Sequence, residues 1–488
     1  MKQFIKYLII MLPLITATSC MKNIEHNVFA KNSNEQSVML KVAVPYTAGT
    51  RSIEPTQEAT IETLDILAFK VDGGVETFQY WAEGKKDAGN VEGAASQTFS
   101  ATLQVQSYRQ RFVIITNAHN KVEDLILQAD WGNAEKEAML KQLEVSLNGG
   151  DRWNAINAGN YTSIPMWGQS EPSVITGNTT SIGTVFMLRM IAKVEVQLDE
   201  SVTGLTDKFK IKSVHVYNTN TSGRIVPKSG TEYVDADMIA QKASLPSYVV
   251  SVAGPLEYRD FTSPGVVDEA MRGAIYLFET AAKNANNFLE ETCIVVGGLY
   301  DSDVEESYYR LDFLAEDDKT HLDILRNNNY ICNIVAVNGR GYPTVDEAYR
   351  VKSFNMVANV LVWNEGINGN IIINGQHVLH VSHSHFDFDE NARDIASTDN
   401  ILTIITDYPA GWTAAVWADK AGTIPVDNDL TTNSPWLSIS PALGAGDMQP
   451  VEVRLTLLAN SGVARTAYIH IKAGRLTYVV EVTQVIRI

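Results

Sequence analysis

Most of the chain consists of short runs in which apolar and polar residues alternate, separated by Gly, Asn, Asp and Pro. Because successive side chains of a strand point to opposite faces, this period of two predicts β-strands with one buried face. The first clear run, VMLKVAVPY, places four apolar side chains on one face: Val38, Leu40, Val42 and Val44. A second strand candidate, IETLDILAF, follows after a turn. The pattern predicts an all-β fold made of sandwiches or barrels.

Similar runs continue to the C-terminus, and helical spacing is rare. The clearest helical signal lies between Val122 and Leu147, where apolar residues recur three or four positions apart among charged ones. A shorter candidate covers Asp318 to Arg326. One long apolar run, GTVFMLRMIAKVEVQL (183–198), is interpreted as a strand that closes a first domain. We therefore expect few and short helices.

The length of 488 residues is too great for one core, and about 150 residues per domain suggests roughly three domains. Changes in sequence texture place the first domain at 37–198, the second at 199–370 and a third at 371–488. The third block has the size of a small sandwich. No strong repeat relates the three blocks.

The first residues have the pattern of an export signal. Lys2 and Lys6 precede the apolar stretch YLIIMLPLI, which is short for a bilayer span, and TATSC follows. The segment resembles a bacterial lipobox, with Ala17 where leucine is more usual. We interpret 1–20 as a lipoprotein signal peptide and expect a lipid on the Cys20 thiol, which would make the precursor an outer-membrane lipoprotein at the cell surface. An ordinary secretory signal with an incidental cysteine is the alternative.

Charge and cysteine content narrow the functional classes. The formal net charge is −18, with 45% hydrophobic and 20% charged residues, which is typical of a soluble globular protein and argues against binding to a nucleic-acid backbone. Cys293 and Cys332 lie in apolar strand candidates. They could pair, but two separate buried thiols are the better interpretation.

The motifs of common enzymes and metal sites are absent from the sequence, so we expect neither catalysis nor a cofactor. A secreted glycan hydrolase would need paired carboxylates in a cleft, which the sequence does not locate. The stretch HVLHVSHSH could suggest a metal site, but a solvated linker strand is favoured. On one extended strand, three of its histidines would share a face with Asp387 and Asp389; the four are His377, His380, His383 and His385. DFDENARD (387–394) is interpreted as a solvated turn.

Several segments, taken in order, resemble the FimA-type fimbrillins, the lipoprotein-derived subunits of type V pili. They are SIPMWGQS, VFMLRMIAKVEVQL, FKIKSVHVYNTNTSGRIVP, IYLFET, CIVVGGLYD, YYRLDF and LDILRNNNYICNIVAVNGRGY. The resemblance covers about 37–366 and implies two transthyretin-like β-sandwich domains. It also implies that an arginine-specific protease removes the first strand, and that a strand from another subunit enters the open groove.

Arg51 is the residue that matches the cleavage position, which would leave Ser52 as the new N-terminus. Gly49 and Pro55 flank it in a turn-like segment that would suit a protease. A lone surface arginine in a turn is the alternative.

The last block resembles a BACON domain, an immunoglobulin-like sandwich. The resemblance lies in Trp436-Leu437-Ser438-Ile439, in Ala459-Asn460 before Arg465, and in the closing Val482-Thr483-Gln484. Such modules are either spacers or glycan-binding domains. Candidate glycan contacts are the rings of Trp412, Trp417 and Trp436, although a core position is favoured for Trp436.

These features lead to one hypothesis and one rival. The hypothesis is a fimbrial subunit that assembles by donor-strand exchange and contributes to adhesion; the rival is a glycan-binding surface protein that keeps its lipid anchor and is never cut. The expected partners are other fimbrial subunits, an arginine-specific protease, host or bacterial surface glycans, and the outer membrane through the precursor's lipid. The last strand could be the donor, or the subunit could donate nothing and occupy a tip or accessory position. The candidate donor residues are Val480, Val482, Ile486 and Ile488.

Overall fold

In the computed structural model, most of the regular secondary structure is β-strand and the helices are few and short, which confirms the predicted all-β fold. It describes residues 35–44, 58–90, 96–148, 151–153, 162–199, 202–236, 238–244, 255–259, 266–267, 270–284, 287–315, 318–352, 354–366, 369–373, 377–426, 435–447 and 449–485. Within these ranges, no helix is long and apolar enough to cross a membrane.

The first domain is a single strongly bent sheet. Its elements are β1 (Glu35–Ala43), β2 (Leu64–Asp72), β3 (Val75–Lys86), β4 (Ser96–Gln104), β5 (Gln110–Thr116), α1 (His119–Gln128), α2 (Lys136–Leu140), β6 (Glu144–Ser146), β7 (Met166–Gln169), β8 (Ser181–Phe186) and β9 (Leu188–Arg189). Eight of the strands form one sheet in the order β8-β1-β4-β3-β2-β5-β7-β9. The long strand β3 joins its two halves, because its first part pairs with β2 and its end, from Gly84, pairs with β4.

The half of this sheet formed by β2 and β5 is covered on both faces. Ile66 and Ile114 face the half that contains β1, whereas Leu67 and Val113 face the helices and the second domain. A strand that is buried on both faces has a continuous apolar run. The sequences LDILAF and FVIIT have this form.

The second domain is a sandwich with a few short helices. Its elements are β10 (Ile191–Leu198), α3 (Leu205–Lys208), β11 (Phe209–Tyr217), β12 (Ser222–Arg224), β13 (Leu256–Tyr258), β14 (Val266–Val267), β15 (Ala270–Phe278), a 3₁₀ turn (Phe288–Glu290), β16 (Cys293–Tyr300), β17 (Ser307–Asp312), β18 (Asn329–Val337), α4 (Val345–Tyr349) and β19 (Met356–Gly366). One layer has the order β14-β15-β10-β18-β19 and the other β13-β11-β16-β17. Their facing side chains form one apolar core.

The C-terminal module is a second sandwich. It contains β20 (Gly369–Ile373), β21 (Val378–Val381), β22 (His385–Phe388), β23 (Ile401–Thr406), β24 (Trp412–Trp417), β25 (Leu437–Ser440), β26 (Leu443–Gly444), β27 (Val451–Leu457), β28 (Arg465–Ala473) and β29 (Leu476–Gln484). The layer β20-β21-β23-β27-β25 packs on the layer β22-β29-β28-β24-β26. Because β20 also pairs with β19, the first layer continues the sheet of the second domain.

The run at 183–198 is not one strand. It supplies β8 beside β1, β9 beside β7, and β10 between β15 and β18. The breaks fall at Met187 and Met190, whose backbone N–H groups donate to the carbonyls of Ala43 and Pro165. The prediction of a strand that closes the first domain is therefore wrong for 191–198, which lie in the sheet and core of the second domain.

The helix predicted over Asp318 to Arg326 is also wrong. This stretch forms isolated β-bridges, with His321 opposite Leu314 and Ile324 opposite Thr280. The Leu322 N–H donates to the Phe313 carbonyl, so a hairpin replaces the helical hydrogen bonds. The helical signal between Val122 and Leu147 is confirmed in part, because α1 and α2 occupy it but β6 takes 144–146. Cys293 and Cys332 are free buried thiols, as predicted.

Candidate functional site

The first strand lies in the interior of its sheet. β1 pairs antiparallel with β4 along its whole length, from Glu35 opposite Gln104 to Ala43 opposite Ser96. On its other side it pairs in parallel with β8, from Met39 opposite Ser181 to Ala43 opposite Phe186. We call the space that β1 occupies between β4 and β8 the β1 slot.

The predicted alternation along β1 is confirmed. Val38, Leu40, Val42 and Val44 are each at most 1% exposed, whereas Met39 is 50% exposed. The four buried side chains belong to a core cluster that also contains residues of the neighbouring strands, and these include Phe99, Leu103 and Val185. Without β1, the slot would have an apolar floor and two strand edges with unpaired backbone groups. Such an edge is a template for pairing with another strand.

Several residues expected to take part in processing lie outside the described ranges. Arg51 and Ser52 belong to the segment between Val44 and Glu58, which lies outside those ranges. Outside the described ranges, too, are Cys20, Ile486 and Ile488.

The chain beyond the expected cleavage point is held by a buried charge cluster. The Lys193 ammonium lies 3.1 Å from the Glu58 carboxylate and 3.5 Å from that of Glu195. The Tyr276 hydroxyl donates to the Glu58 carboxylate at 2.8 Å, and the Arg189 Nε donates to the Glu58 carbonyl at 3.0 Å. We call these five residues the Glu58 cluster. It connects residue 58 to strands β10 and β15 of the second domain.

Opposite charges keep the central pair of this cluster ionised. Burial by itself would raise the pKa of Glu58, but Lys193 and Arg189 outweigh it and lower that pKa below its ordinary value. Burial would likewise lower the pKa of Lys193, but Glu58 and Glu195 raise it. A salt bridge that is largely buried depends on both partners, because either charge alone would be left without compensation.

The expected donor strand is an interior strand in this structure. β29 lies between β22 and β28, and it pairs with β28 from Arg465 opposite Gln484 to Ala473 opposite Leu476. Val480 and Val482 are fully buried in the core of the C-terminal module. Departure of β29 would therefore open that core.

Two of the three candidate glycan-contact rings are buried. Trp412 is 1% and Trp436 is 6% exposed, and both belong to the core of the C-terminal module. The structure contradicts a glycan contact for Trp412 and Trp436, because a sugar needs an open ring face, and it confirms the core position favoured for Trp436. Trp417 is half-buried and lies opposite Tyr468 on the adjacent strand β28.

The four histidines do not lie on one strand. His380 is in β21 and His385 is in β22, which belong to opposite layers of the module. The His383 ring stacks on Phe386 at 4.6 Å, and burial together with His385 lowers the His383 pKa. His377 lies 3.4 Å from Asp407. Among the described residues, no group of three or more His, Cys, Asp or Glu side chains is arranged to hold a metal ion.

In the DFDENARD stretch, the Asp389 carboxylate is paired with Arg393 of the same stretch, and Arg393 also contacts Asp399 beyond it. Arg393 lies 3.0 Å from Asp389 and 2.9 Å from Asp399, and these contacts hold the turn closed. The interpretation as a surface turn agrees with this arrangement.

Sequence reasoning missed β8 as the second neighbour of β1 and missed the Glu58 cluster. A signal for the cluster is present in IAKVEVQL, where Lys193 and Glu195 interrupt an otherwise apolar run. Charged residues are rarely buried unless they are paired. These two positions therefore could have indicated a buried partner, although the sequence does not identify Glu58.

Two family profiles match different parts of the chain. Residues 32–264 match the profile described as "Fimbrillin-A associated anchor proteins Mfa1 and Mfa2". Residues 426–485 match the BACON profile, a candidate binding domain. A comparison with curated proteins found none that matches.

Solved structures that match the chain include proteins of Bacteroides and Parabacteroides species. A candidate cell adhesion protein of Bacteroides eggerthii DSM 20697 is 15% identical, with a TM-score of 0.39, and the match covers 68% of this chain and 97% of that one. A fimbrial assembly protein of Parabacteroides distasonis ATCC 8503 is 13% identical, with a TM-score of 0.38 and coverage of 68% and 96%. A candidate cell adhesion protein of Bacteroides uniformis ATCC 8492 is 12% identical, with a TM-score of 0.35 and coverage of 68% and 99%.

The two profile matches agree with the order of modules in the structure. The anchor-protein profile ends within the second domain, and the BACON profile lies inside the C-terminal module. The chain is therefore similar to the fimbrillin-associated anchor proteins over 32–264 and to the BACON domain over 426–485.

Proposed function

We propose that this protein is a structural subunit of a cell-surface fimbria that accepts a strand from another subunit after β1 is removed by cleavage at Arg51. The observation that carries the proposal is the interior position of β1. It is the first described strand, and it occupies the apolar slot between β4 and β8. A single cut between β1 and β2 is enough to free β1, because no other described strand precedes it. In the precursor, β1 fills the slot and prevents association.

The energy of the exchange supports a lasting junction. Each of the four buried β1 side chains contributes about 2 kcal/mol through burial, and each main-chain hydrogen bond adds about 1 kcal/mol. A donor strand of equal length would recover these terms from both β4 and β8. An extended strand added to an open sheet edge is a known mode of peptide recognition.

The Glu58 cluster supports Arg51 as a suitable cleavage position. A cut there would leave a short segment, 52–57, before the anchored Glu58. The mature chain would therefore begin close to a fixed point on the second domain, while β1 would be connected to the remainder only through strand pairing.

The interior position of β29 favours a subunit that accepts a strand and does not donate one. Donation would remove Val480 and Val482 from the core of the BACON module. A subunit without a donor strand can occupy only one end of a filament. The anchor-protein description of the matching family agrees with such a terminal or accessory role.

The precursor would reach the surface as a lipoprotein attached through Cys20 and would be cut by an arginine-specific protease. The test is N-terminal sequencing of surface-extracted protein from cells that produce the wild type and Arg51→Ala. We expect a wild-type chain that starts at Ser52, and an uncut variant that is absent from filaments. Arg350→Ala is the matched control, because Arg350 is an exposed arginine in the second domain. Wild-type material that retains β1 and remains monomeric would contradict the proposal.

A second candidate function is the binding of glycans by the BACON module. Trp417 and Tyr468 are direct neighbours on adjacent strands, and the His470 ring lies 6.4 Å from Trp417. The flanking Ala467 and Ile469 are buried, so Tyr468 points to the opposite, outer face. Glycan-array binding by the wild type and by Trp417→Ala would test this function, which is compatible with permanent attachment through Cys20.

A further inference from the structure

Glu195 is the member of the Glu58 cluster whose carboxylate has the fewest contacts. It is fully buried in β10, and in the described part of the chain neither of its carboxylate oxygens has a hydrogen-bond partner. Lys193 lies 3.5 Å from it but is closer, at 3.1 Å, to Glu58. A buried carboxylate is costly unless it accepts hydrogen bonds, so this group calls for a donor.

Asn329 is a second buried polar side chain at the same place. β10 and β18 pair in parallel, with Lys193 opposite Asn329 and Glu195 opposite Ile331. Because paired residues and every second residue of a strand share a face, the side chains of Lys193, Glu195 and Asn329 lie on one face of the sheet. Asn329 is 3% exposed, and among the described residues its amide oxygen and nitrogen have no hydrogen-bond partner. Three acceptor oxygens therefore lie here without donors.

The chemistry of these oxygens indicates the kind of partner that would fit. Carboxylate and amide oxygens only accept, so the partner must supply several donors. Arg189 does not supply them, because it donates to the Glu58 carbonyl and the Asn327 side-chain oxygen, at 3.0 Å each. Glu58 and Glu195 share the single Lys193 ammonium, which favours a donor that carries positive charge. A primary ammonium, with three N–H donors, has these properties.

The proposed cleavage would create such an ammonium within reach. The carboxylates of Glu58 and Glu195 contact the same Lys193 ammonium, so the chain that precedes Glu58 approaches the site directly. Ser52 is six residues before Glu58, and six residues span at most about 20 Å. In the uncut chain its nitrogen is an uncharged amide with one N–H. After the cut it becomes a terminal amine, whose ordinary pKa of about 8 keeps it largely protonated at neutral pH.

We propose that Glu195 and Asn329 form a binding site for the Ser52 ammonium that cleavage after Arg51 creates. The two Glu195 oxygens accept two of its N–H groups, and the Asn329 amide oxygen accepts the third. The inference rests on the proposed function and adds the fate of the new terminus, which is held on the second domain and apart from the β1 slot. A peptide nitrogen at residue 52 cannot make these bonds, so the site distinguishes the cut chain from the precursor.

The test cuts the full chain at one defined bond. Residues 46–51, YTAGTR, are replaced by ENLYFQ, the recognition sequence of a viral cysteine protease that then cleaves directly before Ser52. β1 remains in its slot through its pairing with β4 and β8, so the slot is not left open. Periodate oxidises an N-terminal serine selectively, because it attacks a free amine next to a hydroxyl. Mass spectrometry measures the rate of this oxidation.

We expect the folded, cut chain to be oxidised at least tenfold more slowly than the free peptide SIEPTQ, residues 52–57, because the bound ammonium is not accessible. Glu195→Gln should restore most of the peptide's rate, since it removes the negative charge, and Asn329→Ala should restore part of it. Glu481→Gln is the matched control, because Glu481 is an exposed glutamate in β29 of the BACON module, and it should react like the parent. Asn329→Ala leaves every charge in place, so it tests the site even if Glu195→Gln does not fold.

Two results would overturn the proposal. One is a folded, cut chain that reacts as fast as the peptide. The other is equal protection in the parent, Glu195→Gln and Asn329→Ala, which would mean that Ser52 is shielded elsewhere. Failure of Arg51 cleavage on cells would contradict the proposed function but would not affect this test, because the viral protease makes the cut. Conversely, an unprotected Ser52 would leave the cleavage proposal intact.

Discussion

At the residue scale, the two faces of β1 differ strongly. Leu40 contacts the core of the first domain, whereas Met39, its neighbour in sequence, is half exposed. β1 therefore carries both the apolar side chains that fill the slot and an opposite face that is open to solvent. Asp65 also contacts His119, the first residue of α1, and the charge of this pair depends on pH.

Leu40→Ala should destabilise the precursor much more than Met39→Ala. Truncation of a fully buried leucine costs about 2–5 kcal/mol, because it leaves a cavity, while truncation of a half-exposed side chain should cost under about 1 kcal/mol. Chemical denaturation of the two purified precursors measures the difference. Equal losses in the two variants would show that β1 is not packed as described.

His119 should make stability depend on pH. Burial by itself would lower the pKa of His119, but the Asp65 carboxylate, 2.9 Å away, raises it above the ordinary value. A raised pKa in the folded state stabilises the protein below the unfolded value of about 6.5, and this contribution disappears as the pH rises through the folded pKa. Burial raises the pKa of Asp65 as well. Asp65 therefore also makes the folded state less stable as the pH rises, but over a lower pH range than His119 does.

The expected result is that the stability difference between wild type and His119→Gln is largest near pH 6 and shrinks toward pH 9. Urea denaturation at several pH values measures it. His321→Gln is a suitable control, because His321 lies at a hairpin in the second domain. A difference between wild type and His119→Gln that is constant with pH would rule out this role.

At the element scale, local pattern predicted strands well and their partners poorly. VMLKVAVPY, IETLDILAF and RFVIITNA became β1, β2 and β5, because alternation or a continuous apolar run depends only on burial. The run 183–198 was divided among three positions by backbone hydrogen bonds from distant residues, for which the sequence has no turn signal. Similarly, 318–326 is extended because Leu322 bonds to Phe313 across a hairpin and Ile324 exchanges hydrogen bonds with the more distant Thr280.

The same distinction applies to the candidate site. The buried face of β1 could be read from the sequence, since it depends on period alone. The β8 neighbour, the burial of Trp412, and the contact between Glu58 and Lys193 all depend on tertiary packing, which one sequence does not contain.

A chain that starts at Ser52 should take up the β1 peptide. The slot would then have an apolar floor and two open edges, and the peptide EQSVMLKVAV, residues 35–44, would restore both ladders. We expect the added peptide to raise the melting temperature of the truncated chain and to suppress its self-association, as measured by calorimetry and analytical ultracentrifugation. A peptide with Leu40→Asp should do neither, because it would bury an unpaired charge. Equal effects of the two peptides would contradict a specific slot.

At the scale of the whole molecule, neighbouring domains share structure at two junctions. The Glu58 cluster, the pairing of β6 with β12, and a core that includes Ile191 and Tyr276 connect the first domain to the second. The shared sheet, and the ring of Trp363 stacked on Tyr478 at 5.5 Å, connect the second domain to the BACON module.

Glu58→Ala should weaken the first junction severely. It would leave the largely buried Lys193 close to Glu195 but without its nearest partner, and loss of one member of a buried pair costs about 3 kcal/mol or more. The double variant Glu58→Ala/Lys193→Met should recover part of this loss. Calorimetry should show an unfolding transition at a lower temperature in Glu58→Ala than in the wild type.

The exposed pair formed by Asp346 and Arg350 provides the control for that experiment. Its members lie 2.8 Å apart and are more than half exposed, so Arg350→Ala should leave the melting profile unchanged. If Glu58→Ala behaved like Arg350→Ala, the cluster would have no part in joining the domains.

The continuous sheet has a mechanical consequence. A load applied to the outermost module would pass through the ladders that join β19, β20 and β21, so it would shear several hydrogen bonds together and would not simply stretch a linker. Under tension, the BACON module should therefore separate from the second domain only after the hydrogen bonds of these ladders break.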